Sequence, residues 1–272
     1  MSLSRLDFDY LRMLVHQRSA IVIDPGKEYM VEARLGPLLE AEGAGSLAEL
    51  VRRLRTGPGD RLRTRVVEAI ATHESSFFRD PRSFEAIHHH VLPELLDRRG
   101  GGPLVAWSAA CAAGQEPYSL AMTIEEHLTG CLPLVRILAT DLSAAVLARA
   151  REGRYSQAEI SRGLPTPLLL RYFEQHGLEW RVVPRIARAV EFRLLNLAET
   201  WPPMPRVDLL LLRNVLIYFD GATRTAVLRQ ARDLLRPDGY LFLGQSETLL
   251  GLDVGFRRRM LDRVACYQPE RP

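Results

Sequence analysis

The sequence predicts an α/β protein in which a small helical bundle precedes a parallel β-sheet with helices on both faces. Residues 4–72 carry amphipathic stretches at helical spacing, separated by short turns. Beyond about residue 100, apolar runs of strand length alternate with helical stretches, which is typical of a parallel sheet. Residues 154–189 interrupt this alternation with three prolines and a short strand-like run, and we expect them to form an inserted subdomain.

Four helices are predicted in the N-terminal part. Leucines at helical spacing indicate the first, and an amphipathic pattern over 29–40 indicates the second. Ser46 is placed to cap the third helix, with Glu49 at the capping-box position. Asp60 is predicted to cap the fourth, which runs to about residue 71.

Five apolar runs are predicted to form the parallel strands, because each is nearly continuous and is followed by a helical stretch or a turn. They cover residues 104–108, 135–140, 190–195, 207–212 and 240–244. Residues 256–268 have two strand-like halves and are expected to close the sheet as an antiparallel hairpin.

Composition excludes several classes of protein. The 272 residues are 47% hydrophobic and 25% charged, which excludes disorder. A net charge of +3 is too small for a dedicated nucleic-acid binder. Three widely spaced cysteines favour neither a disulfide framework nor a zinc ribbon, and they fit a reducing, cytoplasmic compartment. We expect neither a signal peptide nor membrane insertion, because no apolar stretch is long enough.

The segment 107–119 predicts a ligand-binding turn between the first strand and the next helix. Small residues and Gly114 would let backbone N–H groups approach a ligand at the helix N-terminus. The single glycine disfavours a dinucleotide and hence a nicotinamide-dependent oxidoreductase. A tight turn without a ligand is the alternative.

Three further segments supply polar residues to the same predicted edge. Asp141 ends the second strand, where doubly wound folds hold ribose hydroxyls, or it caps the next helix. Arg213 and Asn214 follow a run of four leucines, and the alternative is an arginine that reaches solvent. The linker 72–81 contains two adjacent phenylalanines and an arginine, and it either packs over a cleft or acts as a hinge.

Three motifs together resemble the CheR family of chemoreceptor glutamate methyltransferases, and the resemblance covers nearly the whole chain. The motifs are Phe77-Phe-Arg-Asp, Gly114-Gln-Glu-Pro-Tyr-Ser and Arg213-Asn-Val-Leu-Ile-Tyr-Phe. The resemblance implies an N-terminal helical domain (1–72), a linker that contributes to the cofactor site (73–100) and a methyltransferase domain (101–272). That domain would have a Rossmann-like S-adenosylmethionine methyltransferase sheet and an inserted antiparallel β-subdomain at about 165–190.

The resemblance also implies the cofactor, S-adenosylmethionine, and its contacts. These are His73, Ser75, Arg79, Glu116, Asp141, Asn196, Leu197, Arg213 and Asn214. Glu116 would face the methionine end and Asp141 the ribose, while Arg213 and Asn214 would lie beside the methionine part. Asn196 and Leu197 match the pair near the adenine. Relatives often have Asn and Thr where this chain has His73 and Ser75. Arg79 and Tyr218 would orient the reacting groups.

The implied partner is the helical bundle of a chemoreceptor's cytoplasmic domain. An arginine-rich segment is predicted to dock on that acidic bundle, although such a run is commonly only solvated. Its arginines are Arg52, Arg53, Arg55, Arg61, Arg63 and Arg65. The inserted subdomain has a single glycine, Gly177, between a helix and the next strand, so its loop is short and we expect no binding of a receptor C-terminal pentapeptide. We expect a monomer that binds no nucleic acid.

Two features are predicted to be structural, and we expect no metal site. His88, His89 and His90 are adjacent on a helix and point in different directions, so a solvated face is expected. Cys111 has no nearby base and is expected to pack beneath the ligand loop. Two hypotheses for the function follow: an active protein-glutamate O-methyltransferase, or a non-catalytic CheR-like module that binds the cofactor or another nucleotide.

Overall fold

The computed structural model describes residues 3–57, 59–100, 102–128 and 130–270. The chain divides into two compact units. The helical unit is Met1–Thr72 with Tyr218–Arg224, and the sheet unit is His73–Ile217 with Thr225–Pro272. The sequence did not predict that 218–224 group with the N-terminal helices. The linker boundaries at 73–100 stay a prediction, and residue 101 lies outside the described residues.

The described residues before Thr72 form four helices as predicted: α1 (Arg5–Ser19), α2 (Glu28–Glu42), α3 (Leu47–Thr56) and α4 (Asp60–Ile70). Ser46 caps α3 by accepting a hydrogen bond from the Glu49 backbone N–H at 3.2 Å, as predicted. The cap predicted at Asp60 is wrong, because Gly59 occupies that position and the Asp60 carboxylate pairs with Arg18 instead.

The remaining helices are mostly short. They are α5 (Pro81–Ala86), α6 (Leu92–Arg98), α7 (Gln115–His127), α8 (Ala144–Glu152), α9 (Gln157–Ile160), α10 (Thr166–Tyr172), α11 (Pro184–Ala187) and α12 (Gly221–Leu234). A π-helical turn, Ile87–Val91, joins α5 to α6, and two 3₁₀ turns cover Leu132–Leu134 and Leu216–Tyr218. In the described part of the chain, no helix is both long and apolar enough to cross a bilayer.

Ten strands are found in the described residues. They are β1 (Leu104–Ala109), β2 (Val135–Asp141), β3 (Arg154–Ser156), β4 (Phe173–His176), β5 (Glu179–Val182), β6 (Val190–Leu194), β7 (Val207–Leu212), β8 (Leu235–Leu243), β9 (Phe256–Leu261) and β10 (Val264–Pro269). The main sheet has the order β6-β2-β1-β7-β8-β10-β9. Its first five strands are parallel, and β9 and β10 form the predicted antiparallel hairpin.

The sheet core follows from the apolar runs. Every residue of β7 is buried, as expected for a strand covered on both faces. Strand β8 begins earlier than predicted, because Leu235 already pairs with Val207. Gly239 lies within β8, where the pairing register shifts before Tyr240 meets Leu209.

The inserted subdomain is a three-stranded antiparallel sheet with the order β3-β5-β4. Strand β3 starts at Arg154, where the predicted interruption at 154–189 begins, whereas the narrower range of about 165–190 leaves this strand out. The three-residue strand shows little alternation and is easily missed in a sequence. The loop at Gly177 is short, as predicted, but residues 177 and 178 join strand β4 to strand β5, so the expectation that they follow a helix is wrong. Gly177 has a φ of 64°, which suits a two-residue hairpin connection.

Candidate functional site

Five parallel strands of the sheet unit end at one edge of the sheet. The loop 110–114 follows β1, Asp141 ends β2 and Arg213 follows β7. Gly244 follows β8 at the same edge. Carboxyl ends of parallel strands are where doubly wound sheets bind ligands. Segments far apart in the sequence therefore meet where the sequence predicted a site.

The loop 110–114 holds a strained backbone conformation. Ala110, Ala112 and Gly114 have φ values of 57°, 49° and 91°. A β-carbon on Gly114 would lie 3.1 Å from the side chain of Ala150, so this position favours glycine on two counts. The Tyr155 hydroxyl donates to the Ala113 carbonyl at 2.7 Å and supports the loop from the inserted subdomain. Positive φ at two alanines is the kind of strain that collects at ligand sites.

Asp141 is 5% exposed and anchors this loop. Its Oδ2 accepts a hydrogen bond from the Ala112 backbone N–H at 3.0 Å. Its Oδ1 accepts one from the Ser143 N–H, also at 3.0 Å. The alternative that Asp141 caps the next helix is wrong, because Ser143 is the N-cap of α8. The carboxylate therefore organises the loop and the start of α8 together.

Arg213 lies at the centre of a buried ionic cluster, and its side chain is 2% exposed. Its Nη1 donates to Glu116 Oε2 at 2.9 Å, and its Nη2 donates to the Arg79 carbonyl at 2.6 Å. Asp80 Oδ2 lies 3.5 Å from the same Nη2. Ser108 donates to the other Glu116 oxygen at 2.7 Å. The alternative of an arginine that reaches solvent is wrong.

Asn214 adopts a left-handed conformation with φ of 58°. Its backbone N–H donates to Glu247 Oε2 at 2.7 Å, and the Gly244 N–H donates to the same oxygen at 2.8 Å. A β-carbon on Gly244 would lie 2.4 Å from Asn214 Nδ2, so only glycine fits there. One carboxylate thus ties the end of β7 to the end of β8.

Three buried side-chain atoms at this edge have no hydrogen-bond partner within the described residues: His73 Nε2, Gln115 Oε1 and Arg213 Nε. His73 Nε2 lies 3.5 Å from Asp141 Oδ1 without a hydrogen bond. Buried polar atoms without partners are costly, and they are typical of sites completed by a ligand. The residues present therefore fit a polar ligand that lies along the strand ends.

The linker is anchored to the sheet unit. Phe77 is fully buried and packs edge to face on Tyr155 and Phe173, with ring centroids 4.9 and 5.4 Å apart. The Phe78 backbone N–H donates to Ser119 Oγ of α7 at 2.9 Å. Phe77 and Phe78 of the linker are therefore held on the sheet unit.

The side chains of the other predicted site residues lie outside the ionic cluster around Arg213. Ser75 is half-buried, and the exposed guanidinium of Arg79 donates to the Glu74 carbonyl at 3.3 Å. Asn196 and the buried Leu197 follow β6, where Asn196 Oδ1 accepts from the Ala198 N–H. Tyr218 belongs to the helical unit, where its carbonyl accepts from the Val22 N–H at 2.9 Å.

The sequence did not assign roles to three residues that hold the cluster together: Asp80, Ser108 and Glu247. Asp80 ends the motif Phe77-Phe-Arg-Asp, so its position beside Arg79 points to it. Glu247 follows the last parallel strand, and an acid at a strand end was again the signal. Ser108 lies within a strand, and nothing in the sequence marks it.

Cys111 packs beneath the loop as predicted. Burial raises the pKa of its thiol well above the ordinary value, and the charges of Asp141 and Glu116 raise it further. A neutral, buried thiol is not a nucleophile.

The expected solvated face at His88 to His90 is wrong for His88. The His88 ring is half-buried and stacks on the His127 ring with centroids 4.0 Å apart. Burial and then the charge of His127 lower the pKa of His88. Across the described ranges, no three His, Cys, Asp or Glu side chains are arranged to hold a metal ion.

Two family models match nearly the whole sequence of this chain. The family described as "CheR methyltransferase, SAM binding domain" matches residues 73–264, and "CheR methyltransferase, all-alpha domain" matches residues 6–71. The chain belongs to the CheR methyltransferase family. S-adenosylmethionine is its cofactor, and the orphaned polar atoms and strand-end carboxylates described above belong to a SAM-binding domain.

Two relatives of this CheR protein are similar along their length. It is 43% identical to "Chemotaxis protein methyltransferase 1" of Pseudomonas aeruginosa over 257 residues, which are 93% of each chain. It is 40% identical to "Chemotaxis protein methyltransferase Cher2" of Pseudomonas putida over 93% of this chain and 94% of the relative. Among solved structures, a TehB-like SAM-dependent methyltransferase from Corynebacterium glutamicum has a TM-score of 0.40 at 13% identity, covering 65% of this chain and 86% of that one.

Proposed function

We propose that this protein transfers the methyl group of S-adenosylmethionine to glutamate side chains on the cytoplasmic domain of chemoreceptors, in sensory adaptation. The observation that carries the proposal is the convergence of the strained loop, Asp141 and the Arg213 cluster at one sheet edge in a member of the CheR family. Two relatives similar over their whole length are named chemotaxis protein methyltransferases. The proposed substrate implies a cytoplasmic enzyme, and we propose that it acts as a monomer.

The chemistry needs no proton transfer. When bound, S-adenosylmethionine supplies a methyl group already activated by its sulfonium. A free glutamate side chain has a pKa near 4.3 and is ionised at neutral pH. The chain's residues therefore contribute by aligning the reacting groups and by excluding water. The neutral Cys111 thiol, the one nucleophile candidate at the loop, is not required.

The strand-end residues divide the binding of the cofactor among them. Asp141 suits the ribose hydroxyls, and Asn196 and Leu197 suit the adenine. The carboxylate of Glu116 suits the ammonium of the methionine part. Arg213 Nε is buried and has no hydrogen-bond partner in the part of the chain that the structure describes, and it suits the carboxylate of the methionine part.

The roles proposed for the other site residues rest mainly on the resemblance to the CheR family. We propose that His73 and Ser75 donate to the cofactor, and within the described residues the buried His73 Nε2 has no hydrogen-bond partner. Arg79 and Tyr218 are proposed to orient the acceptor carboxylate and the methyl group. Asn214 is proposed to lie beside the methionine part.

Transfer of tritium from labelled S-adenosylmethionine to receptor cytoplasmic fragments tests the proposal. We expect label that base releases as methanol, because a glutamate methyl ester is base-labile. Cys111→Ala is a matched control and should keep this activity. Cofactor binding without transfer to any receptor fragment would instead support the non-catalytic module.

Recognition of the receptor is proposed to use its methylation region and not a C-terminal pentapeptide. A two-residue connection at Gly177 leaves little backbone to hold an added peptide beside the small sheet. Titration of the pentapeptide in a calorimeter should give no heat of binding. A micromolar dissociation constant would show that the length of this loop does not decide tethering.

A further inference from the structure

A polar cavity of about 300 Å³ lies at the carboxyl end of β8, entirely within the sheet unit. Asp80 and Arg82 line it from the start of α5, and Gln245 and Glu247 line it from the segment after β8. Arg258 of β9 and Arg263 of the hairpin turn close the far side. Its volume is at the small end of the range of ligand pockets, about 300–1,000 Å³, so it suits one or two side chains.

Three exposed arginines line this cavity. Within the described residues, Arg82, Arg258 and Arg263 make no side-chain hydrogen bond and no ion pair. The arginines beside Arg258 differ, because Arg257 donates to Gln268 at 3.2 Å and Arg259 pairs with Glu94 at 3.2 Å. Within the described residues, the guanidinium groups of these three arginines are therefore not neutralised by a carboxylate of the protein.

The two carboxylates of the cavity are already satisfied. Asp80 accepts hydrogen bonds from Gln245 Nε2 at 2.8 Å and Ser83 Oγ at 2.5 Å, and it lies beside Arg213. Glu247 accepts from backbone N–H groups, two of them at 2.7 and 2.8 Å. The groups left to bind a ligand are the guanidinium donors, which favour carboxylates.

The cavity borders the candidate active site through these same carboxylates. Asp80 contacts Arg213, and Glu247 holds Asn214. Met260 lines the cavity from the same face of β9 as Arg258, and it is 50% exposed. An apolar contact beside guanidinium groups matches a glutamate side chain, which has an apolar stem and a charged end.

We propose that this cavity binds acidic side chains of the acceptor protein that flank the glutamate to be methylated. The inference rests on the proposed function, because it assigns a subsite for the same acceptor. A dianionic phosphate fits less well, since Asp80 and Glu247 are fixed on the cavity wall and would repel the higher charge.

Methyl NMR at Met260 tests binding without any turnover. The protein is labelled with ¹³C-methyl methionine, and Met260→Leu identifies the signal. A short glutamate-rich peptide should shift this signal saturably, and its glutamine counterpart should not. The shift should be lost in Arg258→Glu/Arg263→Glu and kept in Arg229→Glu, which changes an exposed arginine of α12. Equal shifts with both peptides, or none with the glutamate peptide, overturn the proposal.

Methylation kinetics provide the second measurement. Arg258→Glu/Arg263→Glu should raise the KM for receptor fragments about tenfold, with kcat and affinity for S-adenosylhomocysteine unchanged. A KM no higher than that of Arg229→Glu would contradict the proposal. The proposal would also be contradicted if inorganic phosphate displaced the glutamate peptide at a lower concentration than free glutamate does. If the parent enzyme methylates no fragment, the proposed function fails, while the Met260 titration still decides whether the cavity binds acidic peptides.

Discussion

Arg213 illustrates what sequence and structure each determine about one residue. The sequence places it at the end of an apolar strand, beside the predicted site. Its partners lie 97 residues away at Glu116 and 133 residues away at Asp80. No local pattern predicts which acids meet a buried arginine, because their meeting depends on how the sheet is assembled. The sequence therefore left solvent exposure open, and the structure excludes it.

Removal of Arg213 should strongly destabilise the sheet unit. Arg213→Met leaves the largely buried carboxylates of Glu116 and Asp80, whose side chains are 13% and 11% exposed, without their counter-charge, and we expect a loss of about 3–5 kcal/mol in the free energy of unfolding. Adding Glu116→Gln should recover part of that loss, because it removes one uncompensated charge. Urea unfolding measures both. Arg232→Met, at an exposed ion pair with Asp233, is the control and should cost about 0.5 kcal/mol or less. If Arg213→Met and Arg232→Met lost similar amounts of unfolding free energy, the ionic cluster would not stabilise the sheet unit as proposed.

Asp141→Ala should weaken the binding of S-adenosylhomocysteine by about 1.5–3 kcal/mol, through loss of hydrogen bonds to the ribose. The same substitution removes the acceptor of the Ala112 and Ser143 backbone N–H groups, so the stability of the fold falls as well. Ser143→Ala separates the two effects, because it removes the cap of α8 and leaves the carboxylate in place. Calorimetry should show normal affinity in Ser143→Ala. Unchanged affinity in Asp141→Ala would rule out the ribose assignment.

At the scale of elements, the parallel strands were the most predictable features. Long apolar runs without breaks, such as β7, have one stable environment, a sheet covered on both faces. Short or irregular elements were less predictable. Strand β3 has three residues, and the start of β8 depends on a register shift opposite Val207. The cap at Asp60 failed because Asp60 pairs with Arg18, a contact across 42 residues.

The segment 218–224 supplies a prediction about pH. Asp220 accepts a hydrogen bond from the Thr223 backbone N–H at 2.7 Å, and His16 Nε2 lies 3.0 Å from its other oxygen. The Thr223 hydrogen bond, followed by the contact with His16, lowers the pKa of Asp220 from 3.8 to about 2. A carboxyl with a lowered pKa stabilises the fold above about pH 3.8, and that contribution is lost as the pH falls through about 2.

Carboxyl ¹³C NMR at pH 3 should find Asp220 about nine-tenths ionised, whereas an aspartate with a pKa of 3.8 would be about one-seventh ionised. Asp220→Asn identifies the signal. His16→Gln should raise the pKa only in part, because the Thr223 hydrogen bond remains. If Asp220 were mostly protonated at pH 3, its contacts with the Thr223 N–H and His16 would not lower its pKa as expected.

At the scale of the molecule, the sequence predicted that a helical part precedes a sheet part, because the apolar residues of each part follow the period of a helix or of strands. The sequence did not predict that 218–224 belong to the helical unit, because this depends on single contacts, such as the Val22 N–H donating to the Tyr218 carbonyl.

The contacts of the arginine-rich segment show which of its arginines can dock on a partner. Arg53, Arg55, Arg63 and Arg65 use their side chains within the helical unit.

Within the described residues, Arg52 and Arg61 are the two arginines of this segment whose side chains make no hydrogen bond or ion pair, and both are exposed. If the segment docks on an acidic receptor bundle, these two should carry the contact. Arg52→Glu and Arg61→Glu should each raise the KM for receptor fragments roughly two- to fivefold and weaken its dependence on salt. Cofactor affinity should not change. Lys27→Glu, at an exposed site of the same unit, is the control. A KM and salt dependence equal to the control's would mean that the segment is only a solvated face.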